Sequence, residues 1–192
     1  MRMSSRDLIL QRIKRNRPSD ARLPTVPDFS WPPGIDLVEK FKIALERVGG
    51  RAIALSPQAD LKEQISILYP GCQRIASRNA LLSRIEISDR SSTDELRRIE
   101  LAVLRGRFGV AENGAVWVPE EEMIHRAVPF IAEHLILLLS RGAIVENMHQ
   151  AYKLVPPSGY GVFIAGPSKT ADIEQSLVIG AHGPRSLTVL LE

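Results

Sequence analysis

The strongest constraint on the fold is an alternation of short apolar runs with amphipathic stretches that begins after Gly50. Residues 51–56 (RAIALS) read as a strand, 59–68 (ADLKEQISIL) as a helix, 72–77 (CQRIAS) as a strand and 84–88 (RIEIS) as a further short strand. Thr93-Asp94-Glu95-Leu96 then opens another helix with an acidic first turn. Helices inserted between strands need crossover connections, and crossovers make the strands parallel. The expected architecture is therefore α/β, a mostly parallel sheet flanked by helices on both faces.

The rest of the chain fits around that unit. Residues 101–121 hold two β-rich runs around Glu112-Asn113-Gly114, and Asn-Gly is a strong tight-turn signal. A helical stretch is expected from Met123, a buried strand over 134–140 (HLILLLS), and a helix over 144–154 that ends at Pro156-Pro157. Val162 to Ile164 and Leu187 to Leu191 complete the sheet. Upstream, Ile35 to Val48 carries a helical stripe of Leu37, Val38, Phe41, Ala44, Leu45 and Val48, closed by Gly49-Gly50. Ser4-Ser5 caps an amphipathic N-terminal helix with Leu10 and Ile13 on its apolar side. Between the two, residues 18–34 hold five of the 13 prolines, which excludes helix and central strand. This Pro-rich arm, anchored at Phe29 and Trp31, packs along its own domain or on a neighbouring subunit, the latter giving a homo-oligomer. The division is a helix and arm over 1–34 and one α/β domain over 35–192.

Composition narrows the function classes. With 192 residues and 44% hydrophobic content the chain can bury one substantial core. Its 25 basic and 22 acidic residues give a formal charge of +3, too balanced for a nucleic-acid surface, and no basic stripe interleaved with aromatics is present. The N-terminal Arg2, Arg6, Arg12, Lys14, Arg15 and Arg17 fit the solvated side of a helix equally well. The single cysteine, Cys72, rules out an intramolecular disulfide and an all-cysteine iron–sulfur or zinc site on these residues alone. His125, His134, His149 and His182 are not spaced as metal ligands, so no metal site is expected. No stretch has the length of a membrane span, and a cytoplasmic location is the expectation.

Chemistry is concentrated in two places. In Gly161 to Arg185, an apolar run turns at Ala165-Gly166-Pro167 into a segment with helix-start signals: Ser168 or Thr170 as cap, then Asp172 and Glu174. A helix N-terminus with Lys169 beside it suits an anionic group, although Ser168 and Thr170 equally suit a plain cap. A short helix from Thr170 would bring the 180–185 turn back toward Ser168, placing His182 and Arg185 near it. His182 is a candidate acid–base group or an ordinary turn residue, and Lys169 and Arg185 are anion-binding groups or surface charges. The second place is Glu112, with Asn113 and Gly114. A carboxylate beside a tight turn between apolar runs is expected to be partly desolvated, which is how a carboxylate nucleophile or base is obtained; a plain hairpin residue is the alternative.

The segment GPSKTADIEQSLVIGAHGPRSLTVLLE closely resembles the C-terminal signature of the LUD-domain proteins, the lactate-utilisation protein C family, and RGRFGVAENGAVWVPEE is similar to the family's central strand-turn-strand. The resemblance is strong over 105–192 and weak over 1–90. It implies a fold related to the sugar-phosphate isomerases and CoA transferases, and Ala111-Glu112-Asn113-Gly114 is similar to the Ser-Glu-Asn-Gly stretch whose glutamate is acylated in CoA transferases, with Ala in place of Ser. It further implies a subunit of a cytoplasmic system that oxidises L-lactate to pyruvate, with no cofactor on this chain and iron–sulfur clusters on partner proteins. The alternative is a transferase- or isomerase-like enzyme that takes an anionic metabolite or acyl-CoA at Glu112 and the Ser168–Asp172 segment.

Overall fold

The structure is a computed structural model that describes residues 4–17, 24–156, 158–170 and 178–192. In chain order its elements are α1 (Ser5–Arg15), α2 (Leu37–Arg47), β1 (Arg51–Ala54), α3 (Leu61–Leu68), β2 (Ile75–Ser77), α4 (Thr93–Leu96), β3 (Leu101–Arg105), β4 (Phe108–Val110) and β5 (Ala115–Pro119). They continue with α5 (Val128–Ile131), β6 (His134–Leu139), β7 (Ile144–Val145), α6 (Met148–Leu154), β8 (Gly161–Ile164), β9 (Lys169–Thr170), β10 (Val178–Ile179) and β11 (Ser186–Leu191).

The central sheet has five strands in the order β1-β11-β6-β3-β2, and every pair in it is parallel. Its strands alternate strictly between two cores, as a doubly covered sheet requires. Ala102, Leu104, Leu135, Leu137, Leu139, Leu187, Val189 and Leu191 point to the face covered by Phe41 and Leu45 of α2, Leu96 of α4 and Val128 of α5. Leu101, Val103, Ile136, Leu138 and Leu190 point to the other face, against Ile65 of α3 and Leu82. β1 crosses to β2 over the α3 face, while β2, β3, β6 and β11 return across the sheet over the α2 face. Opposite directions of travel put right-handed crossovers on opposite faces.

Four local expectations change. Residues 84–88 form no strand; Arg84 N–H bonds the Ile75 carbonyl and Ser83 Oγ bonds Ile85 O, so this stretch hugs the edge as a loop. The helix expected from Ile144 starts at Met148, because Ile144–Val145 pairs in parallel with β4 and Asn147 caps the helix. The stretch after Met123 is a turn leading to the single-turn α5. Finally, β8 does not join the parallel sheet: β7-β4-β5-β8 is a second four-stranded sheet, and β8 runs antiparallel to β5. Its inner side contributes Val116 and Val118 to the α2 core, and its outer side stacks Phe108, Trp117 and Phe163.

The N-terminal region divides in two. α1 has the expected Ser4 cap, completed by Asp7, but buries nothing: Leu8, Ile9, Leu10 and Ile13 are 43–60% exposed. The described part of the arm lies along its own domain. Trp31 packs on the core and its N–H donates to Glu146 at 2.7 Å, while Phe29 stacks on His149 at 4.4 Å between centroids.

Candidate functional site

Glu112 sits in the four-residue turn between β4 and β5. Its backbone N–H donates to Glu146 O at 2.9 Å, and its carboxylate accepts the N–H of Met148, the first residue of α6, at 2.9 Å. That N–H is one of those a helix start leaves unpaired. The side chain is exposed rather than partly desolvated, its carboxylate reaching out to the start of α6. Asn113 Oδ1 accepts Ala115 N–H at 3.0 Å and shapes the turn. Gly114 adopts φ +71°, and a Cβ there would stand 2.6 Å from Leu45 Cα of α2. Its missing side chain serves a close approach between turn and helix.

Gly166 repeats that arrangement one helical turn further on. The β5–β8 ladder pairs Val116 with Ile164, so the chain leaving β8 passes beside the Glu112 turn. Gly166 has φ +76°, and a Cβ would stand 2.3 Å from Val48 O. The Lys169 ammonium reaches the end of the same helix; a Cβ on Gly49 would lie 3.1 Å from its Nζ. A cation is favourable there because the helix C-terminus carries the negative end of the dipole.

Ser168 starts no helix, and the residues that a helix capped by Thr170 would span, 171–177, lie outside the described residues. Lys169 and Thr170 form β9, antiparallel to Val178 and Ile179 of β10. Ser168 N–H donates to Pro184 O at 2.9 Å and its carbonyl accepts Gly180 N–H at 3.0 Å. Asp172 lies outside the described residues.

The 180–185 turn does come back to Ser168, as expected: a Cβ on Gly183 would stand 3.3 Å from Ser168 Oγ. His182 is exposed on the wall of an open depression of about 490 Å³ shared with Phe130, Glu133 and Arg185. Arg185 is matched there, its guanidinium 2.8 Å from the Glu133 carboxylate and its N–H on Glu133 O at 2.8 Å. Among the described residues no hydrogen bond, ion pair or cavity joins Glu112 to His182. The structure therefore gathers Glu112, Asn113, Gly114, Gly166 and Lys169 along α2 and α6, and Ser168, His182 and Arg185 at the α5–β6 junction.

One polar cluster was not foreseen. His134 and Ser186 open adjacent parallel strands in direct register, with Nδ1 and Oγ 2.8 Å apart. Tyr69 OH bonds Ser186 Oγ at 3.0 Å and Thr188 Oγ1 at 2.9 Å, and Arg51 Nε donates to Thr188 Oγ1 at 2.9 Å. Thr188 is fully buried, and these bonds satisfy it. Ser186 and Thr188, two residues apart in an apolar run, share one face of the strand, which is the sequence signal for such a cluster. Cys72 lies on the same side of the sheet. Burial, with help from the Glu100 and Glu133 carboxylates, pushes its thiol up.

Residues 80–191 match the sequence profile of the LUD domain. Several relatives bear the name lactate utilization protein C. That of Anoxybacillus flavithermus is 30% identical over 53% of this chain and 48% of its own length, and that of Shouchella clausii is 31% identical over 55% and 52%. The chain spans about half the length of the curated relatives it matches. Among solved structures, a DUF162 family protein from Deinococcus radiodurans superposes with a TM-score of 0.62 over 81% of this chain and 95% of that one. At 18% identity that likeness concerns the fold.

Proposed function

The chain belongs to the LUD-domain family, and from that membership we propose that it serves in L-lactate utilisation, as a cytoplasmic subunit working with iron–sulfur partner proteins in the conversion of lactate to pyruvate. The observation that carries the reading is the run of relatives named lactate utilization protein C to which this chain is similar. Lactate oxidation needs an electron acceptor. Cys72 is the one cysteine of these 192 residues, and a cluster takes several thiolates. In this reading the redox centres are carried by partner chains.

The surface for such partners is the N-terminal segment. α1 presents Leu8, Ile9, Leu10 and Ile13 to solvent on a capped helix, an apolar stripe of the kind that lies in a groove of another subunit. Affinity capture of the tagged chain from lactate-grown cells tests this. Iron–sulfur proteins, identified by mass spectrometry and by cluster absorbance, should be recovered with the whole chain and lost when residues 1–17 are removed. Recovery of the tagged chain alone contradicts the subunit reading.

A further inference from the structure

A crevice at the carboxyl end of the parallel sheet has the position and lining of a ligand site. β1 ends at Ala54 and its chain runs through Leu55 and Ser56 to α3, whose Ile65 packs on one face of the sheet. β6 ends at Leu139 and turns through Arg141 to β7, whose Ile144 packs on the other face. β11 lies between these two strands in the sheet order. The connections on either side of β11 therefore diverge to opposite faces. Such a divergence opens a gap beyond the carboxyl ends of the strands, where open α/β sheets hold their ligands.

The gap here is about 430 Å³, within the range of small-molecule pockets, roughly 300–1,000 Å³. Leu55, Pro57, Ala59 and Leu61 form its apolar side, and Arg141 and Glu192 its polar side. The two charged groups are in different situations. The Glu192 carboxylate is already engaged by Arg105 at 2.8 Å. Arg141 is held by main chain: its Nη2 donates to Leu55 O, its Nε points to Leu191 O at 3.4 Å, and its own N–H donates to Glu192 O at 3.1 Å. Among the described residues no carboxylate forms an ion pair with it. A guanidinium carries five N–H donors in a rigid fork suited to planar or tetrahedral anions. Bonding to carbonyls orients that fork without neutralising it. The start of α3 is not what recruits a ligand, since the Asp60 carboxylate already accepts Lys62 N–H there.

We propose that this crevice binds a small organic anion, its carboxylate or phosphate received by Arg141 and its body lying on Leu55, Pro57, Ala59 and Leu61. The site uses none of Glu112, Ser168 or His182, and it stands apart from the role in lactate utilisation, because it is tested on the purified chain alone.

The test is a thermal-shift and calorimetric titration of the full chain with pyruvate, inorganic phosphate and ribose 5-phosphate, repeated on Ser56→Trp and Arg141→Met. Ser56 is exposed at the mouth, so an indole there fills the space while the fold is kept. A saturable rise in Tm is expected with pyruvate if the anion is a carboxylate, or with the phosphates if it is a phosphate. That rise should vanish in Ser56→Trp, and the Kd should weaken by about tenfold or more in Arg141→Met. Circular dichroism of each variant checks that it folds. No response to any probe, or a response that survives in Ser56→Trp, overturns the site. A response lost in Ser56→Trp but undiminished in a folded Arg141→Met overturns the assignment of the anion to Arg141.

Discussion

Gly114 and Glu112 sit two residues apart in one turn and illustrate how a sequence motif can carry structure before it carries chemistry. Gly114 brings the turn against the backbone of α2, and a methyl group there would meet Leu45 Cα and N at 2.6 Å. Backbone cannot move aside as a side chain can, and φ +71° is itself unfavourable for alanine. Gly114→Ala should therefore lower unfolding stability by at least the ~1–3 kcal/mol of core overpacking, read by urea denaturation. Glu112 holds the first N–H of α6. Glu112→Ala should cost about 1 kcal/mol and Glu112→Gln, which keeps an acceptor, much less; equal losses in both would mean that the hydrogen bond is not what the residue supplies. Asn113-Gly114 was legible as a tight turn from the sequence. The exposure of Glu112 was not, because burial of a turn residue depends on what packs above it, and α6 approaches from 36 residues further along.

At the scale of elements, strands with a long apolar run were readable and those defined by pairing alone were not. β6 and β11 are continuous apolar runs, the signature of strands buried on both faces, and both lie where expected. β7 and β9 have two residues each and carry no periodic signal; a partner strand defines them. The capping signal at Ser168 therefore pointed to a helix where Lys169 and Thr170 pair with β10 instead. The short edge strand β2 depends on a clip of the same non-local kind. Glu100 accepts Gln73 N–H at 2.7 Å and Arg74 N–H at 2.9 Å, and it pairs with the Arg74 guanidinium at 2.6 Å. The Arg74 and Gln73 backbone bonds, with the Arg74 charge, hold the Glu100 carboxyl below the usual carboxylate range. A lowered folded pKa means that stability is fully present above the unfolded value of about 4.3 and is lost as pH falls through the folded one. The Tm advantage over Glu100→Gln should be constant from about pH 5 to 7 and shrink as pH falls below about 4. A difference that grows in acid would contradict the clip.

For the whole molecule, crossover logic gave the parallel sheet and its two covered faces, since alternating strands and helices leave few other arrangements. It did not give the second sheet, because β4, β5, β7 and β8 come from segments as far apart as residues 108 and 164 and meet through tertiary packing. Nor did it give the carboxyl-end crevice, which arises from two connections diverging on opposite faces rather than from any local motif. The proposed role rests chiefly on family resemblance, because the turn residues that stood out in the sequence are largely occupied in holding α2, α6 and the β9–β10 pair. The proposed role of this LUD-domain chain in lactate utilisation is tested by growth of a strain lacking its gene on L-lactate and on pyruvate as sole carbon source, with restoration by a plasmid copy. Loss of growth on L-lactate, normal growth on pyruvate and recovery on complementation are expected; unimpaired growth on L-lactate would overturn the proposed role.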